Sequence, residues 1–157
     1  MDSNYSQNIP LFENYCKQEQ IDNVDINCKI GSFPITLKVA STPQSQSKGY
    51  QHSKSEPSDE EGILFVYPRE IPVSFWMKNV DFPLDIMFFN SNKEMVHRDT
   101  MQPNTYPKRY NCEIPIQYAV ETKAGWYERN GDEQLKLHLW KNTHIKENLY
   151  LAKFVMK

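Results

Sequence analysis

Asp85 interrupts an apolar run and Glu121, with less force, stands at the end of a strand, and carrying an unpartnered charge into an apolar interior costs several kcal/mol. Each must be satisfied by hydrogen bonds, face a ligand, or serve as an acid or base. Acting together as a glycosidase-type pair, they would have to stand about 5–9.5 Å apart across an open cleft. A second constellation is Ser74-Phe75-Trp76-Met77-Lys78-Asn79. In an extended chain Val73, Phe75 and Met77 point to one side, and Ser74, Trp76 and Lys78 to the other. If the first side is core, Trp76 on the second has two readings. It packs beneath a neighbouring loop while Asn79 caps a turn, or it forms with Lys78 the floor of a shallow pocket rimmed by Asn79 and Asp85. Tyr106, Lys108, Arg109 and Tyr110 make a basic-aromatic cluster suited to an acidic or sugar-like partner, or equally to a solvated loop. The candidate ligand-binding residues are therefore Trp76, Lys78, Asn79, Asp85, Glu121 and Arg109, and no catalytic set is assigned.

Other chemistries lack their spacing. His52, His97, His138 and His144 form no i, i+2 or i, i+4 pair, although His97 and Asp99 would share a strand face. Cys16, Cys28 and Cys112 contain no C-x-x-C and are odd in number, which suits reduced thiols, with a Cys16–Cys28 bridge left open. Cys112 would need a histidine brought to it by the fold to act as a nucleophile. Neither G-x-x-x-x-G-K-[ST] nor G-x-G-x-x-G occurs, so nucleotide cradling has no basis. No metal or cofactor is expected.

Composition bounds the partners. A chain of 157 residues with 39% hydrophobic and 24% charged residues is the size and type of one globular domain. A formal net charge of −2 supplies no field to gather a polyanion, which argues against nucleic acid. No apolar run is long enough to span a bilayer. Met1–Pro10 is polar where a secretory leader turns apolar, so a cytoplasmic location is expected. Fourteen lysines against four arginines, with thirteen asparagines, suggest an AT-rich genome, as in many bacteria and in phages. If the chain is phage-encoded, a virion is the alternative location.

The elements that must position these residues follow from the pattern. Residues 1–30 form an N-terminal extension in which Ile9–Cys16 and Ile21–Ile26 are short candidate elements. Phe33, Ile35, Leu37 and Val39 alternate with polar residues and predict a strand over 33–39. Ser41-Thr42-Pro43 opens a short helix to about His52, weakened by Gly49, and Lys54–Glu61 is an exposed loop. Gly62–Tyr67, Ile71–Met77 and Leu84–Phe89 read as successive antiparallel strands, followed by a turn at Asn90–Lys93 and a strand over Glu94–Thr100. Met101–Asn111 is a long irregular connection. Ile114, Ile116, Tyr118 and Val120 alternate up to Ala124-Gly125, and a helical turn leads to Asn130-Gly131. Leu135, Leu137 and Leu139 mark another strand, and Leu149–Val155 is a last candidate element. The expected fold is mainly β, a compact antiparallel barrel or sandwich with one or two short helices. It would occupy 31–139, with 140–157 a C-terminal extension packed on the same domain.

Gly62-Ile63-Leu64-Phe65-Val66-Tyr67-Pro68, Val73-Ser74-Phe75-Trp76-Met77-Lys78-Asn79 and Pro83-Leu84-Asp85-Ile86 together resemble the signature of domain-of-unknown-function family 192. Ala40–Tyr50, Tyr118-Ala119-Val120-Glu121 and Ala124-Gly125-Trp126 are similar to its flanking helix, closing strand and turn, so the likeness spans about Leu37 to Leu139. The resemblance implies a compact β domain of bacteria and archaea with no established activity or cofactor. Many such relatives look exported, whereas this chain shows no leader, and its termini extend past the family core. Three functional readings stand: a binding module for a small polar ligand or protein, a structural or assembly component (a homo-oligomer or assembly subunit) using its extensions, and a hydrolase using Asp85 and Glu121.

Overall fold

The alternating runs become strands, and the computed structural model, which describes residues 21–131 and 137–139, joins seven of them in one sheet. In chain order the elements are β1 (Asp25–Ile30), β2 (Phe33–Ala40), α1 (Pro43–Lys48), β3 (Glu61–Phe75), β4 (Leu84–Phe89), β5 (Met95–Met101), β6 (Tyr110–Lys123), α2 (Trp126–Asn130) and β7 (Leu137–Leu139). The sheet order is β5-β4-β6-β3-β2-β1-β7. The fold is mainly β with two short helices, as the alternation predicts. The ladder does not close into a barrel, but the sheet curls until Leu137 N–H donates to the Lys93 carbonyl at 2.9 Å across the seam. No described helix is long and apolar enough to cross a membrane.

The β1–β2 hairpin turns through Gly31-Ser32, where Gly31 takes φ 61°, a conformation open to a residue without Cβ. This hairpin lies partly within the stretch assigned to an N-terminal extension: Ile26, Cys28 and Ile30 point into the core. After β2, Thr42 caps α1 through a reciprocal pair. Ser45 N–H donates to Thr42 Oγ1 at 3.1 Å, and Thr42 N–H donates to Ser45 Oγ at 3.2 Å. The helix ends at Lys48, short of the expected His52, because Gly49 turns to φ 46° and donates its N–H to the Ser45 carbonyl. The crossover through α1 makes β2 and β3 a parallel pair within an otherwise antiparallel sheet.

The strands expected at Gly62–Tyr67 and Ile71–Met77 are in fact one, β3, which runs 15 residues to Phe75. Its pairing with β6 breaks between Val66 and Ile71, where Pro68 can sit without donating to the ladder. Nor is β4 its neighbour, since β6 lies between them. Between β4 and β3, residues Ile116 to Thr122 of β6 are buried on both faces, so their alternation separates two cores and not core from solvent. Leu64, Val66, Met87, Phe89, Tyr118, Val120 and Trp126 pack in one cluster. Phe65, Phe75, Ile86, Phe88, Ile116 and Ala119 pack in the other. The expected elements at Ile9–Cys16 and Leu149–Val155, the extension 140–157 and Leu135 of the last strand lie outside the described residues.

Candidate functional site

The second cluster opens at one end into a cavity of about 320 Å³, set between the end of α1, the middle and second half of β3, and residues Arg109 and Glu121. Glu121 forms its floor. On the sheet it is flanked by Ile63 of β3 and Ile86 of β4, its register partners. On the cavity side it faces the backbone of Gly49, where a Cβ would stand 3.6 Å from Glu121 Oε1. The residue is 4% exposed, and Oε1 has no hydrogen-bond partner among the described residues. Burial therefore pushes its carboxyl up to about 8, and at neutral pH it is an acid carrying its proton. Tyr50 and Tyr67 line the same cavity, and burial raises both phenols above their ordinary range. They stay neutral donors.

At the mouth, β3 has ended and the chain holds Trp76 half-buried beside the 102–109 loop. The Trp76 and Tyr106 rings meet edge to face at 4.9 Å. The Arg109 guanidinium carbon lies 4.1 Å from the Trp76 ring centre, and Lys78 Nζ lies 5.5 Å from the centres of both rings. Asn79 takes φ 59° and stitches the turn: its side chain donates to Gln51 Oε1 at 3.2 Å, and its carbonyl accepts from His52 N–H at 2.9 Å. The structure thus brings Trp76, Arg109 and Glu121 to one cavity, sets Lys78 against Trp76, and holds Asn79 as a clamp on neighbouring Gln51.

Asp85 is elsewhere. It pairs in register with Thr122 while its neighbour Ile86 pairs with Glu121, so Asp85 and Glu121 point to opposite faces of the sheet. The proposed carboxylate pair of a hydrolase is thereby ruled out as one cleft. Asp85 is 2% exposed and fully employed, accepting from Thr100 Oγ1 at 2.9 Å and from Tyr127 N–H at 3.2 Å, which pins α2 to β4 and β5. His97 stacks on Phe88 at 5.6 Å, and no cluster among the described residues is suited to a metal. Cys112 is buried and donates to the Ile114 carbonyl at 3.3 Å, while Cys16 lies outside the described residues. Within the loop cluster, Lys108 lies over the Tyr110 ring, whose hydroxyl accepts from Gln102 N–H.

Gly49, Tyr50 and Tyr67 were missed as site residues. The available signal was Lys48-Gly49-Tyr50, a glycine and an aromatic just past a helix, and Tyr67 at the end of an apolar run.

The family DUF192, described as uncharacterized ACR, matches residues 26–134. One similar solved structure is a candidate transcription regulator from Sinorhizobium meliloti, with TM-score 0.68 and 22% identity, covering 74% of this chain and 95% of that one. Another is a protein of unknown function from Novosphingobium aromaticivorans, with TM-score 0.63 and 23% identity, covering 72% of this chain and 84% of that one. At these identities the likeness bears on fold alone. No curated protein matches the chain.

Proposed function

The chain belongs to the DUF192 family, and from that premise we propose that it is a binding module whose β scaffold presents the cavity between Trp76 and Glu121 to a small polar ligand. The observation that carries this reading is the buried Glu121 Oε1, which lacks a partner among the described residues and lies at a cavity floor. A native interior leaves few such groups unsatisfied, because each costs about 1–3 kcal/mol. Retaining one beside an open volume makes sense where a ligand or its water completes the bond. Trp76 supplies apolar area at the mouth, and Tyr50 and Tyr67 supply hydroxyls within, the usual mix of an apolar wall and few polar fixtures.

The test is two-dimensional NMR of the full chain against a panel of small polar compounds. Binding should move the signals of Gly49, Tyr50, Trp76 and Glu121 as one set. Perturbations confined to other surfaces, such as the cavity lined by Asn27 and Pro34, would show the assignment to be mistaken.

A further inference from the structure

The cavity's charge is lopsided. Among its lining residues Lys48 and Arg109 are cations, and Glu121 is the one acid among the described residues there. Described ion pairs join Arg98 to Glu128 and Arg129 to Asp59, and none engages Arg109 or Lys78. Arg109 is nevertheless held in place, its guanidinium over the Trp76 ring at 4.1 Å. A guanidinium seated over a ring still has N–H groups to offer, and they match the oxygens of a carboxylate or phosphate. Lys78, steadied by the rings of Trp76 and Tyr106, adds a second cation beside Trp76, just outside the cavity lining.

Resting on the cavity reading above, we propose that the ligand is a small oxyanion, drawn by Arg109 at the mouth with Lys78 beside it and received on the floor by the Glu121 carboxyl. The combination is selective in a way that neither part is alone. The cations reject nothing negative, but an ionised Glu121 in a poorly hydrated recess would repel an anion strongly. Only the protonated acid donates a hydrogen bond to it.

Binding is therefore tied to the Glu121 proton. The titratable and charged groups facing that carboxyl are Tyr50 beyond α1 and Tyr67 on β3, with Lys48 and Arg109 lining the same cavity. Glu61 and Asp25 also act on Tyr50. The two phenols are raised and do not ionise in the working range. From β4 the facing neighbour is apolar Ile86, and from the start of β3 it is Ile63. The proton on Glu121 is thus the one that changes as pH rises through about 8. An oxyanion in the cavity holds that proton more firmly, and loss of the proton expels the anion.

The experiment uses the full chain and three probes: acetate, inorganic phosphate, and acetamide as the uncharged counterpart of acetate. At about pH 6.5 acetate or phosphate should shift Gly49, Tyr50 and Trp76, with acetamide weaker by about tenfold or more. The tighter of the two anions identifies the head group. Arg109→Gln should weaken the anions about tenfold, and Lys78→Gln, a second variant beside the mouth, should act in the same direction. Raising the pH to about 9 should weaken acetate about tenfold in the wild type and leave Glu121→Gln unchanged, because the amide keeps an N–H donor and cannot ionise. If acetamide binds as well as acetate, or both cation variants are silent, the oxyanion assignment is overturned while the cavity reading survives. If no probe moves those signals, both are overturned. If wild type and Glu121→Gln lose acetate alike at high pH, the proton linkage is wrong.

Discussion

Two buried carboxyls in one sheet illustrate opposite solutions to the same cost. Asp85 is satisfied by the Thr100 hydroxyl and the Tyr127 N–H, so its carboxyl belongs to the architecture. Glu121 Oε1 lacks such a partner among the described residues, and the carboxyl's folded-state value near 8 lies far above the ordinary 4.5. The sign follows from proton counting. Between those two values the folded chain keeps a proton that the unfolded chain has released, so this group's contribution to stability falls as pH rises through the window and is flat above it. The slope approaches about 1.4 kcal/mol per pH unit. Urea denaturation of wild type and Glu121→Gln from about pH 5 to about pH 9 should show wild type losing ground steadily to the variant, then levelling, whereas parallel profiles would contradict the buried neutral acid. Asp85→Ala should instead cost about 3 kcal/mol, because two part-buried donors lose their acceptor. The same denaturation curves measure it, and a loss under about 0.5 kcal/mol, the range of a plain surface change, would remove Asp85 from its pinning role.

At the scale of elements, the close approach of β3 and β6 rests on a residue without a side chain. A Cβ on Gly62 would collide with the Glu121 backbone carbonyl and press on Leu37 Cδ2 at 3.0 Å. Backbone cannot yield as a side-chain tip can, so Gly62→Ala should cost about 1–3 kcal/mol. It should also displace the Glu121 amide signal in NMR spectra, and an unshifted signal with unchanged stability would show that the strands have room to spare. The extent to which such elements were legible depended on how local their cause is. The β2 alternation, the Asn90–Lys93 turn and the Asn130-Gly131 stop are written in neighbouring residues and emerge where expected. Pro68 looked like a strand end, but the break in pairing between Val66 and Ile71 absorbs it, and bulges leave no period of their own. The parallel pairing of β2 with β3 is a tertiary choice that no window of sequence contains. For the site, the types of Trp76, Arg109 and Glu121 were informative one by one. That they converge while Asp85 turns away depends on which strand β6 sits between, and a shift of one residue in register would reverse it.

Across the whole molecule, the two apolar clusters are inseparable because the same strands build both. Leu64 and Val66 enter one while Phe65 between them enters the other, and Phe88 stands opposite Met87 and Phe89 in the same way. Neither β3, β4 nor β6 can be withdrawn from one cluster without dismantling the other, so damage to these strands must be felt on both sides. Phe88→Ala, a truncation in the second cluster at a residue 1% exposed, should lower global stability by about 3–5 kcal/mol. The reporter for the first cluster is Trp126, buried and donating its indole N–H to the Asp59 carbonyl at 2.9 Å. In the variant, the Trp126 indole signal should disappear at the same reduced urea concentration as backbone circular dichroism, with the slope of the transition unchanged. A Trp126 signal that persists after the backbone transition has begun would mean that the faces of this sheet unfold as separate units. In that case the Glu121 cavity could open without disturbing the Asp85 side at all.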